Sequence, residues 1–217
     1  MMELRSDGRK NDELRKIKGR MNVLKGCDGS AVFQLGNTKV LAVVYGPSDI
    51  QEWRLNYSEL QDDLYVKCNL SVSSSTKMSR GQPYCNSLFC LILECDGGEL
   101  SCCINATTLA FLDAGIPIRN IVVSCTAALI FKRTTNDLVS EATHKMLVDV
   151  NNSELSFSNR PACITVTHSG NSPSALMWNL DRGKIHSTLL PGLFDLASKG
   201  CLHMSQYINT FCRHNFN

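Results

Sequence analysis

The chain has 217 residues, of which 43% are hydrophobic and 19% charged, with a formal net charge of +2. That length supports a sizeable buried core, and the composition excludes a disordered chain. So small a net charge means that any attraction for nucleic acid would have to come from local patches. No apolar run approaches the ~20 residues that span a bilayer. The opening residues Met1-Met2-Glu3-Leu4-Arg5-Ser6-Asp7 lack the apolar core of a signal peptide, so the expectation is the cytosol or nucleus, with no membrane partner.

Met1 to Arg20 is polar and mixed in sign, with Arg5, Arg9, Lys10, Arg15, Lys16, Lys18 and Arg20 against Glu3, Asp7, Asp12 and Glu13. It reads as a solvated leader whose Lys/Arg excess is compatible with RNA phosphates. Ser30–Gln34 and Val40–Tyr45 then read as two strands, joined where Gly36 and Asn37 permit a reversal. Gly46-Pro47 stops the second strand. Val66–Val72 alternates apolar and polar residues, and with the first two strands it predicts an antiparallel meander. Ser73–Asn86 reads as a loop and Ser87–Cys95 as a buried strand.

After Asp96-Gly97-Gly98, the residues Leu100, Cys103, Ile104, Thr107, Phe111 and Ala114 recur at helical spacing. They predict a helix from Glu99 to Ala114, ended by Gly115 and Pro117. Ile121–Phe131 is a β-branched strand, and Lys132–Arg160 reads as an irregular excursion. Pro161–Thr167 and Ser174–Leu180 form a hairpin through Ser169-Gly170-Asn171. Leu189–Phe211 predicts a closing amphipathic helix despite Gly192 and Gly200. This order gives one α+β domain over residues 1–217, a largely antiparallel sheet with packed helices.

Eleven cysteines without a C-x-x-C pair, and five scattered histidines, suggest neither a metal site nor a disulfide framework. Most of the cysteines read as small buried apolar residues. No cofactor is expected.

Three blocks carry a family resemblance. Arg5-Ser6-Asp7-Gly8-Arg9 with Glu13-Leu14-Arg15 is similar to the opening of RNase PH-type proteins. Asp28-Gly29-Ser30-Ala31 with Gly36-Asn37-Thr38-Lys39 and Val44-Tyr45-Gly46-Pro47 resembles their core hairpin. Asp96-Gly97-Gly98, Asn105–Ala110 and Leu112–Arg119 resemble the helix and turn that follow. The blocks stand in the family's order and point to the RNase PH-type ring subunits of the RNA exosome. Within that group the wording around Arg15-Lys16-Ile17 and Leu41–Pro47 is closer to one subunit type than to the others.

The resemblance implies an RNase PH-like fold (ribosomal protein S5 domain 2-like). It also implies a hexameric ring of RNase PH-type exosome subunits, S1/KH cap subunits and RNA as partners, and a place in the nucleus, the nucleolus and the cytoplasm. Active relatives cleave RNA from the 3′ end with inorganic phosphate as the nucleophile. Here Gly97 and Gly98 are the candidate phosphate-binding pair, yet Glu99-Leu100 follows them where active members carry Ser-Arg. A carboxylate repels the anion, and leucine cannot replace an arginine fork.

The interval Ser73–Cys95 is also too short for the family's Arg-rich loop, long helix and following strand, so the middle helix region is shortened. A sheet without that cover would expose an apolar face. Arg54, next to Trp53, and Lys77 and Arg80 remain as candidate RNA-binding residues. Asp137 matches only the first position of the acidic segment, with Glu141 out of register, so no catalytic residue is assigned. The expectation is a non-catalytic exosome ring subunit supporting 3′-to-5′ RNA processing and degradation, in rRNA maturation and mRNA decay. The alternative is a phosphate-dependent 3′-to-5′ exoribonuclease active within a ring.

Overall fold

Alternating apolar residues from Ile17 to Tyr45 build the first sheet. Strands β1 (Ile17–Met21), β2 (Gly29–Leu35) and β3 (Thr38–Tyr45) run antiparallel in sequence, with β2 and β3 joined through Gly36 at φ +60°. Ala31 and Phe33 of β2 lie opposite Ala42 and Val40 of β3 on one buried face. The structure, a computed structural model, describes residues 5–46, 67–72, 87–131, 144–158, 161–170 and 174–216.

The antiparallel meander expected next is not what forms. Strand β5 (Ser87–Glu94) pairs antiparallel with β3, while β4 (Lys67–Val72) lies parallel to β5 at the sheet edge. The order is β1-β2-β3-β5-β4. Leu88, Cys90 and Ile92 of β5 carry on the buried face, because their register partners are Val44, Ala42 and Val40. Cys68, Leu70 and Val72 share that face through the parallel register, but at the edge Leu70 is 60% exposed. Leu70 and Val72 are thus exposed apolar groups at the β4 edge of a sheet whose central strands α1 covers.

Helix α1 (Glu99–Asp113) covers the buried face with Cys102, Ala106, Leu109 and Ala110. It is also tied down by polar groups. Asn105 Nδ2 donates to Ser124 O at 2.9 Å, and Ser124 N–H donates to Asn105 Oδ1 at 2.9 Å. Thr108 Oγ1 donates to Val122 O at 2.6 Å, and Ser30 N–H donates to Asp113 Oδ2 at 2.8 Å. These bonds satisfy buried groups that would otherwise cost about 1–3 kcal/mol each, and they fix α1 between the two sheets.

The second sheet has the order β7-β6-β8-β9, all antiparallel, from β6 (Val122–Phe131), β7 (His144–Val148), β8 (Ala162–Ser169) and β9 (Ala175–Arg182). Strand β7 and helix α2 (Asn152–Ser156) correct the expectation of an irregular excursion over 132–160. Helix α2 carries a full capping box, Asn151 to Glu154 and back, a signal readable in the sequence. Leu147, Val150 and Leu155 pack with Ala128 and Cys163 behind β6.

Helix α3 (Leu190–Phe216) closes the other face, with Leu193 and Ala197 against β6 and β8 and with Cys201, Met204 and Ile208 reaching the first core. Gly200 is what lets it approach, because a Cβ there would overlap the Cys125 sulfur and stand 3.2 Å from Val148 Cγ1. The expected α+β class of helices on mostly antiparallel sheets therefore holds, divided between two sheets. The solvated leader holds for most of its described charges, Asp7, Lys10, Asp12, Glu13, Lys16, Lys18 and Arg20 being exposed, but not for Arg5 and Arg15, which are buried. Gly200→Ala is expected to cost about 1–3 kcal/mol by overpacking and to lower the thermal midpoint by roughly 2–10 °C, measured by circular dichroism.

Candidate functional site

The turn into α1 is built on backbone geometry that only glycine adopts cheaply. Gly97 and Gly98 have φ of +84° and +70°, and a Cβ at Gly97 would run into the Val150 carbonyl. The turn is then held from below. Thr38 Oγ1 donates to Gly97 O at 2.7 Å and accepts from Asp96 N–H at 3.1 Å. Arg15 Nη1 donates to Asp96 O at 2.7 Å, and Arg15 Nη2 donates to Gly97 O at 2.9 Å.

Arg15 is held in turn by a carboxylate. Its Nε and Nη2 form a fork on Asp149, at 3.0 and 2.7 Å, and its backbone N–H adds a third bond to Asp149 Oδ2 at 2.8 Å. Asp149 itself sits at φ +49°, with its own N–H on Thr126 O at 2.8 Å. A second fork runs from Arg5 to Glu154, at 2.7 and 2.6 Å, while Arg5 Nη1 donates to Val148 O at 2.6 Å. Arg9 bonds Asp7 at 2.6 Å and Asp149 O at 3.1 Å; its buried Nη2 makes no hydrogen bond and lies 3.7 Å from Glu154. The opening motif is thus a buried clamp on the segment between β7 and α2. Sequence reasoning missed Asp149 and Glu154 because the region around them read as irregular.

Above the turn, the Gly97 amide is already taken. Gly97 N–H donates to Glu99 Oε1 at 3.1 Å, and the Cys95 thiol donates to the same oxygen at 2.6 Å. Burial works against the Glu99 charge. The bonds from Cys95 and from backbone N–H groups, with the Arg15 charge behind them, outweigh it and hold the carboxyl below its usual range. This contribution to stability is present above the ordinary carboxylate range and lost as pH falls through the lowered value. Partial burial, then the bond and charge of Glu99, push the Cys95 thiol up to about 11.

The turn opens onto a cleft of about 280 Å³ lined by Leu70, Leu100, Thr126, Leu155, Cys163 and Arg182, among others. Among its described lining residues Arg182 is the one cation, and Asp181 stands beside it, bonded by Thr165 Oγ1 and by Asn179 Nδ2 at 2.6 Å. Glu99 and Asp181 place two carboxylates in a cleft with one guanidinium. No group of three or more His, Cys, Asp or Glu among the described residues is arranged to hold a metal ion. Of the sequence candidates, Gly97 and Gly98 stand at this turn. Trp53, Arg54, Lys77, Arg80, Asp137 and Glu141 lie outside the described residues.

Fold and turn together define an RNase PH-type protein. Residues 13–87 match the model of the 3′ exoribonuclease family, domain 1 (RNase PH). The fold is similar to the crystal structure of rice (Oryza sativa) Rrp46 at a TM-score of 0.74 and 18% identity, covering 96% of this chain and 100% of that one. In sequence the chain is 31% identical over 240 positions to the exosome complex component RRP41 homolog of Arabidopsis thaliana, covering 98% of this chain and 92% of the relative. That alignment is longer than this chain, so the relative has residues without a counterpart here. Human exosome complex component RRP41 is 37% identical over 163 residues, 62% of this chain and 66% of its own length. The chain belongs to this RNase PH family, among the RRP41-type exosome components.

Two outcomes follow from the geometry. Glu154→Gln leaves the Arg5 charge buried without its partner and is expected to cost about 3–5 kcal/mol in urea unfolding. The double change Arg5→Met with Glu154→Leu should recover most of that loss. Glu99→Gln removes the carboxylate that disfavours the Cys95 thiolate. Alkylation of Cys95 by iodoacetamide at pH 8, followed by peptide mass spectrometry, should then quicken by about tenfold for each unit the thiol pKa falls.

Proposed function

We propose that the chain is a non-catalytic ring subunit of the RNA exosome that supports 3′-to-5′ RNA processing and degradation. The observation that carries the non-catalytic part is the Glu99 carboxylate on the Gly97 amide. Phosphorolysis needs inorganic phosphate seated beside the scissile bond, and seating an anion takes free donors and positive charge. At this turn the amide is occupied by an internal anion, and Leu100 follows it with no charge to offer. Gly97 and Gly98 serve to turn the chain into α1, and of the donors considered for phosphate the Gly97 amide is taken by Glu99.

The ring role is supported by likeness to RRP41-type components along nearly the whole chain. Its partners on this reading are other RNase PH-type exosome subunits, S1/KH cap subunits and RNA, in the nucleus, the nucleolus and the cytoplasm. Arg54, Lys77 and Arg80 are the residues proposed to meet RNA. Native mass spectrometry of the chain co-expressed with an RNase PH-type partner and cap subunits tests the role. A defined assembly whose RNA is not shortened on adding phosphate is the expected result. Phosphate-dependent shortening, lost when this subunit is mutated at the turn, would establish the exoribonuclease reading instead. A chain that enters no assembly would overturn the ring role.

A further inference from the structure

The cations near the amino terminus divide into two sets. Arg5, Arg9 and Arg15 turn inward onto Asp149, Glu154 and Asp7. Lys16, Lys18 and Arg20 do the reverse. Ile17 and Met21 pack into the first core, and a Cβ at Gly19 would stand 3.2 Å from Leu109 Cδ1, which fixes the inward face of β1. Strand alternation then sends Lys16, Lys18 and Arg20 to the outer face, where all three are exposed. Their spacing is about 6.7 Å at two residues per repeat, close to the separation of successive phosphates in an extended single strand. Among the described residues, none of the three has a side-chain ion pair or hydrogen-bond partner.

The same face runs on across the sheet. Lys18 stands opposite Gln34, and Gln34 opposite Lys39, before the first carboxylate, Glu94, appears opposite Lys39 on β5. We infer that the outer face of β1, through Lys16, Lys18 and Arg20, is a track for the phosphate backbone of single-stranded RNA. The inference rests on the RNA role proposed above and adds a surface distinct from the α1 turn. None of these residues is aromatic, so the track holds backbone charge and does not stack bases. Lysines on an edge strand also deter unwanted strand pairing, a role that would leave RNA affinity unmoved.

The test measures fluorescence anisotropy of a fluorescein-labelled oligouridylate of about 20 nucleotides, with the full chain and with its assembled complex, over a series of salt concentrations. The K16A/K18A/R20A variant is expected to bind about tenfold or more weakly and to lose about 2 from the log–log salt slope. K16R/K18R should bind as the unmodified chain does. K184A/K199A/R213A removes the same charge from exposed positions elsewhere and should change affinity by about twofold at most. Equal losses in both triple variants, or none in the first, would overturn the inference. So would a first variant that loses binding to polyglutamate yet keeps RNA, which would assign the face to an acidic protein segment. Assembly is read separately by native mass spectrometry. A complex that forms and binds RNA regardless of the stripe sinks this inference alone, whereas RNA binding lost with the stripe in a chain that never assembles sinks the ring role alone.

Discussion

The Arg15–Asp149 fork is the interaction on which the rest depends. One guanidinium joins the start of β1, the loop between β7 and α2, and the carbonyls of Asp96 and Gly97, so it reaches both sheets and the head of α1. A buried ion pair adds little net stability over a well-packed apolar pair, but removing one partner strands a charge in the interior. What the fork supplies is a fixed geometry. It draws the turn's carbonyls downward, and the Gly97 amide is left facing up toward Glu99. The Arg5–Glu154 fork repeats the arrangement a few residues away and clamps the capping box of α2.

Much of the fold was legible from local pattern. The β2–β3 hairpin, α1, β6, the β8–β9 hairpin and α3 follow from period, glycine and proline, because each of those signals acts within a few residues. What the sequence hid was set by distance along the chain. Arg5 and Arg15 look solvated among other charges, and their partners lie 149 and 134 residues away. The alternation of β4 suggested a buried face, yet its register against β5 puts that face at an unroofed edge, which no local signal specifies. The segment around Asp149 was misread even though Asn151 and Glu154 announced a capping box. Asp149 itself, a non-glycine at positive φ held by a fork from Arg15, has no signature of its own.

The site shows how far fold and chemistry can separate. A glycine turn leading into a helix is an anion-binding arrangement by construction, since its amides and the helix dipole both favour negative charge. This chain keeps the turn and fills it from within. Glu99 supplies the negative charge one residue into the helix, takes the amide, and gains a carboxyl that stays ionised against its own burial. Part of the favourable electrostatics of the helix end is thereby used within the fold. Membership of a family of 3′ exoribonucleases fixes the architecture, whereas the reaction depends on a few side chains at one turn.

The strand edges are treated unequally, and the difference bears on assembly. The outer face of β1 carries Lys16, Lys18 and Arg20, which keep that edge in water. Strand β9, the edge of the second sheet, carries Leu176, Met177, Trp178 and Leu180, each between 42 and 60% exposed, and β4 carries Leu70. An eight-residue strand with large apolar groups open on both faces is costly for a lone chain, because water gains contact with surface that folding normally removes. The distribution of apolar and basic side chains over three strands therefore divides the surface into sides suited to burial and a side suited to solution, and it is the solution side that an extended polyanion could reach.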